Sequence, residues 1–280
     1  MILWKLRLPR MLTAMVAGAA LALAGTQMQA LFRNPLADPH IMGVSGGAGL
    51  GAAIAALAVG SASALVSGIG MVGAAFMGAL LGGGLIVAIS ARVKSTGTLL
   101  LAGIMLGFVF SALSSVLQYA AGEESLKLFY SWMAGSFSGV RTSGLAVMSA
   151  ALLLGMGLAL MNRRGLDLVL FGDDFATFSG ASVLHIRLNT MLGCAIMTGA
   201  ITAYCGPVGF VGIIAPHLAR RFLGTSSHRL VIPGAMLTGS CLALCGDILA
   251  HIGPTPLPVG STLAIIGIPL ILILLWRNRL

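Results

Sequence analysis

Residues 41–91 contain no Asp, Glu, Lys or Arg, and residues 95–122 contain none either. Apolar stretches of this length cannot cover a water-facing surface. If lipid surrounds them, the backbone must satisfy its own N–H and C=O groups, which leaves α-helices or a closed β-barrel. Barrel strands alternate apolar and polar residues over about ten positions. The runs here are continuous, so they read as helices. Composition agrees that lipid is the solvent. The chain is 58% hydrophobic and 8% charged, with a mean hydropathy of +1.03, whereas soluble domains carry roughly a quarter charged residues. The expected fold is an all-α polytopic membrane protein, a single transmembrane domain over residues 1–280.

A bilayer span takes about 20 apolar residues. Nine spans are expected, near 11–32, 41–60, 65–90, 97–120, 143–162, 186–205, 207–223, 230–250 and 258–276. Their Gly and Ala content lets helices approach closely. The net charge of +9 then reflects loops on one side of a membrane rather than affinity for nucleic acid. One side carries Arg33, Arg92, Lys94, Arg163, Arg164, Arg187, Arg220, Arg221, Arg229, Arg277 and Arg279, eleven of the sixteen basic residues. That side is taken as cytoplasmic. The other side has Lys5, Arg7, Arg10, Lys127 and Arg141, with Glu123 and Glu124. The stretch KLRLPR should hold the N-terminus inside, yet the later loops put it outside. A helix ahead of residue 1 would resolve the conflict; the rival reading of the start is a signal peptide. GAALALAG at 18–25 echoes GAITAYCG at 199–206, compatible with an inverted repeat or with chance in such a composition.

Few motifs carry chemistry. No G-x-x-x-x-G-K-[ST] loop is present, and GAGLGA at 47–52 has no strand before it, so it reads as close helix packing. No hydrolase pattern of Ser, His and acid occurs. Cys194, Cys205, Cys241 and Cys245 lie in apolar runs and read as small hydrophobes. Asp247 and His251 are the ionisable pair inside a span; four apart, they share a helix face, and a pair locking the helix is the favoured reading over a metal site. The longest inner loop, 163–187, contains LFGDDFATFSG. This reads as a short amphipathic helix with Asp173 and Asp174 in its first turn, where the helix dipole favours acids. Phe171, Phe175 and Phe178 form a stripe that either folds back onto the bundle or enters a partner's groove.

RNPLADPHIMG at 33–43 is a polar knot between greasy spans. Pro35 and Pro39 lack amide hydrogens and disfavour helical geometry at Asn34 and Asp38. The first helix should therefore stop near Arg33, followed by a tight loop on the cytoplasmic side.

RLPR at 7–10, GAALALAGTQMQALFRNPLADPHIMGVSGGAGLGA at 18–52, LLLAGI at 99–104, WMAGSFSGV at 132–140, FGDDFATFSG at 171–180, GPVGFVGIIAPHLAR at 206–220 and LPVGSTLAIIGIPLILILL at 257–275 together resemble one family. It is the membrane permease family of bacterial ABC importers for ferric siderophores, haem and cobalamin. The resemblance spans the whole chain in order. It implies ten helices, of which this chain shows nine and lacks the first. It also implies a homodimer in the bacterial inner membrane with a transport path on the twofold axis, two cytoplasmic ATPase subunits that hold ATP and magnesium, and an external binding protein. No cofactor is expected in this chain. Phe171, Gly172, Asp173, Asp174, Phe175 and Phe178 match the loop that docks into the ATPase. Asn34 and Leu36, opposite Thr96 and Gly97, match a cytoplasmic gate; the alternative for that loop is a plain turn. Arg7 matches an external arginine that meets the binding protein, and His251 stands where a second arginine is often found, with Arg141 a substitute. No acids are read at mid-membrane, which argues against an ion-coupled secondary transporter, and no acid–base–nucleophile set argues for an embedded enzyme. The cargo expected from the resemblance is an iron complex, with cobalamin the alternative.

Overall fold

The computed structural model describes residues 3–58, 64–93, 95–253 and 255–277. Among them every regular element is helical: α1 Leu8–Phe32, α2 Val44–Ala58, α3 Ala64–Arg92, α4 Thr96–Tyr119, α5 Glu123–Met133, α6 Thr142–Val169, α7 Asp173–Phe178, α8 Val183–Cys205, α9 Val211–Leu223, α10 His228–Ala250 and α11 Val259–Arg277. Lys94 and Arg279, used in the charge reading, lie outside the described residues, as does the end of the second expected span at 59–60.

Six helices, α1, α3, α4, α6, α8 and α10, are long and apolar enough to cross a membrane. All-α membrane architecture is thus as expected, but several boundaries differ. Residues 121–131 were expected to be an external linker. They largely form α5, whose first turn holds Glu123 and Glu124. The helix turns Ser125 and Phe129 inward, and Trp132, just beyond, donates from Nε1 to the Ala203 carbonyl at 3.2 Å. The loop 163–187 is mostly helix: α6 runs on to Val169 and α8 begins at Val183, where the Ser182 side chain accepts from the His185 amide. The seventh expected span shrinks to the thirteen residues of α9, about 20 Å at 1.5 Å per residue.

Of the six long helices α1 and α8 are the most buried, and they stand at the centre of the bundle. Their neighbours come close because the contact points lack side chains. A Cβ on Gly18 would overlap the Gly239 carbonyl of α10, one on Gly25 would overlap Gly212 of α9, and one on Gly47 would overlap Gly78 of α3. Without a hydrophobic drive between helices in lipid, such contacts supply dispersion that only tight packing provides. One continuous core runs from Ala14 of α1 to Leu263 of α11.

Gly25→Ala should destabilise the bundle by about 1–3 kcal/mol through overpacking. Gly84→Ala, where an added Cβ meets nothing within 4 Å, should be neutral or stabilising by up to about 1 kcal/mol. Thermal unfolding of the purified variants in detergent measures both. Equal loss at the two positions would show that backbone contact at Gly25 does not hold the bundle.

Candidate functional site

The knot at 33–43 does not stay at the end of the bundle. Helix α1 ends at Arg33, which adopts a left-handed conformation (φ 49°) and donates its amide to Ala30 and Gln29 carbonyls. Asp38 is extended (φ −123°, ψ 139°), as a residue before proline should be, and its carboxylate accepts from the His40 amide at 2.7 Å. Residues Pro39–Met42 form one 3-10 turn, and Gly43 at φ 77° releases the chain into α2. Ala37, Asp38 and Met42 are buried. Pro39 packs against Gly212, the same residue that faces Gly25, two turns inside the end of α1. The chain therefore folds back into the protein, and α2 starts deep rather than at a surface. The expected loop on the cytoplasmic side describes only its first residues.

A second break lies beside the first. Residues 206–210 are not helical, and Phe210 has φ 70°. Arg33 and Phe210 are the two non-glycine residues with positive φ among those described; a bulky side chain there is strained. His40 joins the breaks, with Nε2 donating to the Val208 carbonyl at 2.7 Å and Nδ1 paired with the Ser45 hydroxyl. Below the second break Pro216 sits inside α9. It has no N–H for the carbonyl four residues earlier, Gly212. Gln29 fills that role: its Nε2 donates to Gly212 at 3.3 Å and to Ile213 at 3.1 Å. Arg220 fixes the amide by donating to Gln29 Oε1 at 2.7 Å. Irregular backbone at membrane depth is tolerated where protein answers its polar groups.

The basic end gathers residues from several linkers. Asp173, first residue of α7, takes Arg33 at 3.6 Å, Arg187 at 3.5 Å and the Thr96 hydroxyl at 3.2 Å. Arg187 also donates to the Val93 carbonyl at 2.6 Å. Nearby, Asp167 of α6 pairs with His228 at the start of α10, at 2.6 Å. The opposing face of α7 is bare. Phe171, Phe175 and Phe178 are exposed, the first two with rings 5.4 Å apart, while Ala176 is buried against Ala30, Leu166, Val169 and Ile186. The phenylalanines do not fold back onto the bundle. Of the two acids, Asp173 turns inward to two guanidinium groups, and Asp174 is exposed. Gly172 enters the helix at φ 119°, beside the Arg33 guanidinium.

The expected gate residues lie on the loop after α1 and at the start of α4. Asn34 accepts from the Leu36 amide at 2.9 Å, bracing its own loop. Thr96, buried, donates to the Asp173 carboxylate. Leu36 is exposed, and Gly97 is open, with only Ser95 near an added Cβ. At the opposite end Asp247 is buried, but its strong partner is Arg10, whose Nε donates at 2.7 Å. His251 lies 3.7 Å from the carboxylate and donates from Nδ1 to the Asp247 carbonyl at 2.9 Å. The expected Asp–His pair is present, and it is joined by residue 10, which is far away in sequence and invisible to i, i+4 spacing. Arg7 lies in the turn Leu3–Arg7 and is exposed. Among the described residues no group of three His, Cys, Asp or Glu could hold a metal.

The chain matches the FecCD transport family over residues 1–277. It belongs to that family. It is 38% identical over 277 residues to the hemin transport system permease HmuU of Yersinia pestis, covering 98% of this chain and 83% of the relative. It is 37% identical over 279 residues to the vitamin B12 import system permease BtuC of Klebsiella pneumoniae subsp. pneumoniae, covering 99% and 83%. Among solved structures it superposes with TM-score 0.90 and 30% identity on an ABC transporter of metal-chelate type in an inward-facing conformation, covering 99% of this chain and 87% of that one. As a FecCD member the chain is a membrane-spanning transport permease. Sequence reasoning missed Gln29, although Pro216 inside an apolar run signals a carbonyl that needs a donor.

Gln29→Leu removes that donor and leaves the Gly212 carbonyl buried and unanswered. The expected cost is about 1–3 kcal/mol, read as a lowered unfolding midpoint in detergent. An unchanged midpoint would mean that the Gly212 carbonyl finds another donor.

Proposed function

We propose that this chain is the permease subunit of a binding-protein-dependent importer in the bacterial inner membrane, moving an iron complex, ferric siderophore or haem, inward. Two copies form the path at their twofold axis. Two cytoplasmic ATPase subunits, which carry the ATP and magnesium, supply the energy, and an external binding protein delivers cargo. The observation that carries the reading is α7: an exposed phenylalanine edge on a helix anchored by Ala176, at the end of the bundle that collects the basic residues. An apolar edge of this kind on a short cytoplasmic helix fits a partner's groove. The family and both named relatives support import of a metal-bearing macrocycle or chelate. Cobalamin is the second reading, favoured by the near-equal identity to the B12 permease.

In this reading the inner mouth is bounded by Asn34 and Leu36 on one side and Thr96 and Gly97 on the other. Arg7 lies on the outer face, where a charge at an interface rim speeds encounter with an acidic binding protein and orients it. His251 neighbours the buried Arg10–Asp247 pair and is a second candidate contact.

The complex reconstituted in vesicles with its binding protein should accumulate haem or a ferric chelate on ATP hydrolysis, with cobalamin at background; accumulation of cobalamin alone would establish the second reading. Phe175→Ser with Phe178→Ser should weaken ATPase association at least tenfold, because each phenylalanine contributes about 1.5–3 kcal/mol when fully buried. Pull-down titration measures it, and unchanged affinity would remove α7 as the docking element. Arg7→Glu should slow association of the binding protein and flatten its salt dependence in stopped-flow measurements; normal kinetics at low salt would count against Arg7.

A further inference from the structure

We propose that the Asp173 carboxylate is a positioning group that ties α7 to both sides of the inner mouth, and does not itself contact the ATPase. The inference rests on the reading of α7 as the ATPase-docking helix. Its basis is the convergence of residues from three separate segments on one side chain, with Val93 reached through one of them. Arg33 ends α1 and is bonded directly to Asn34, the first gate residue. Thr96 opens α4 and belongs to the other side of the gate. Arg187 opens α8. Val93, held by the same Arg187, precedes α4. Asp173 meets the first three, and reaches the fourth through Arg187.

The placement follows from helix geometry. Asp173 and Ala176 are three residues apart, so they share a face, and that face turns inward. Asp174, Phe175 and Phe178 occupy the exposed side. One short helix therefore separates two tasks: an outer edge free to bind, and an inner edge that holds the gate. Ala176 packs among residues of α1, α6 and α8, so a displacement of α7 cannot be absorbed by the helix rocking alone on a loose tether.

The contacts also have the strength a switch needs. The two ion pairs are long, 3.5 and 3.6 Å, and the carboxylate is 30% exposed. Such pairs exchange readily because water can replace either partner. Arg187, by contrast, is 4% exposed, and a buried guanidinium is costly to separate from a counter-charge. When α7 moves, Arg187 favours keeping the carboxylate, so the exchangeable partners are Arg33 and Thr96. These are the two that belong to the gate. Movement of α7 then releases or re-forms the contacts to the two sides of the mouth together.

The test uses the full transporter with ATPase subunits and binding protein in vesicles, comparing Asp173→Asn, Asp173→Glu and Thr96→Val with Phe175→Ser/Phe178→Ser. Asp173→Asn should keep ATPase affinity within about twofold while cargo moved per ATP falls at least tenfold. Asp173→Glu should recover most of the coupling, because it restores the charge. Thr96→Val should lower coupling without changing affinity, and serves as the deciding variant if Asp173→Asn fails to insert. Two results would overturn the proposal: unchanged cargo per ATP in Asp173→Asn, or a loss of ATPase affinity in it as large as that in the double phenylalanine variant. Failure of the docking reading looks different, since there the double phenylalanine variant keeps full ATPase affinity.

Discussion

A carbonyl or amide released from a helix inside the membrane has no water to turn to, so another part of the protein must answer it. That constraint shapes the centre of this permease. Pro216 frees the Gly212 carbonyl within α9, and Gln29 of α1 supplies the donor. Arg220 in turn orients Gln29. The break before α9 is held by His40 from the break before α2. Two helices can therefore begin at depth only because α1, the knot and α9 stand against one another. Remove the close approach at Gly25 and Gly212, and neither Gln29 nor Pro39 would reach its place.

Small residues make those approaches possible, and the same choice sets the mechanics. Backbones that touch at Gly18 with Gly239 and Gly25 with Gly212 leave no flexible side chains between helices to take up a displacement. A push on one helix is passed to the next. The moving parts are then the breaks and the ends, where backbone departs from helix. Strain is placed there too: Arg33 at the first break and Phe210 at the second both have positive φ, a conformation that persists only where the surroundings hold it.

The two ends of the bundle use charge differently. At one end a short pair, Arg10 with the buried carboxylate of Asp247, joins the start of α1 to the end of α10. Removing Arg10 would strip that buried carboxylate of its short partner, which makes such a pair a clamp. At the end that collects the basic residues Asp173 has several partners at longer range and partial exposure, an arrangement suited to exchange.

Much of this was legible in the residues themselves. Charge-free runs over 41–91 and 95–122 demanded helices in lipid, because the backbone there has no other way to satisfy itself. Pro35 and Pro39 ended α1 at the expected place, and the Phe171, Phe175 and Phe178 stripe announced a helix with an apolar edge, both being matters of local sterics and short spacing. What the residues could not show were contacts between distant positions. Arg10 with Asp247, Gln29 with Gly212, and Asp173 with Arg33, Thr96 and Arg187 each join segments whose proximity depends on how the whole bundle packs. The depth of the knot belongs to the same class: its prolines say where the helix stops, but only the groove between α1 and α9 decides that the chain turns back into the protein. Local geometry is written in neighbouring residues; which partner a buried polar group finds is settled by packing, since many alternatives satisfy the same local rules and only the assembled bundle selects one.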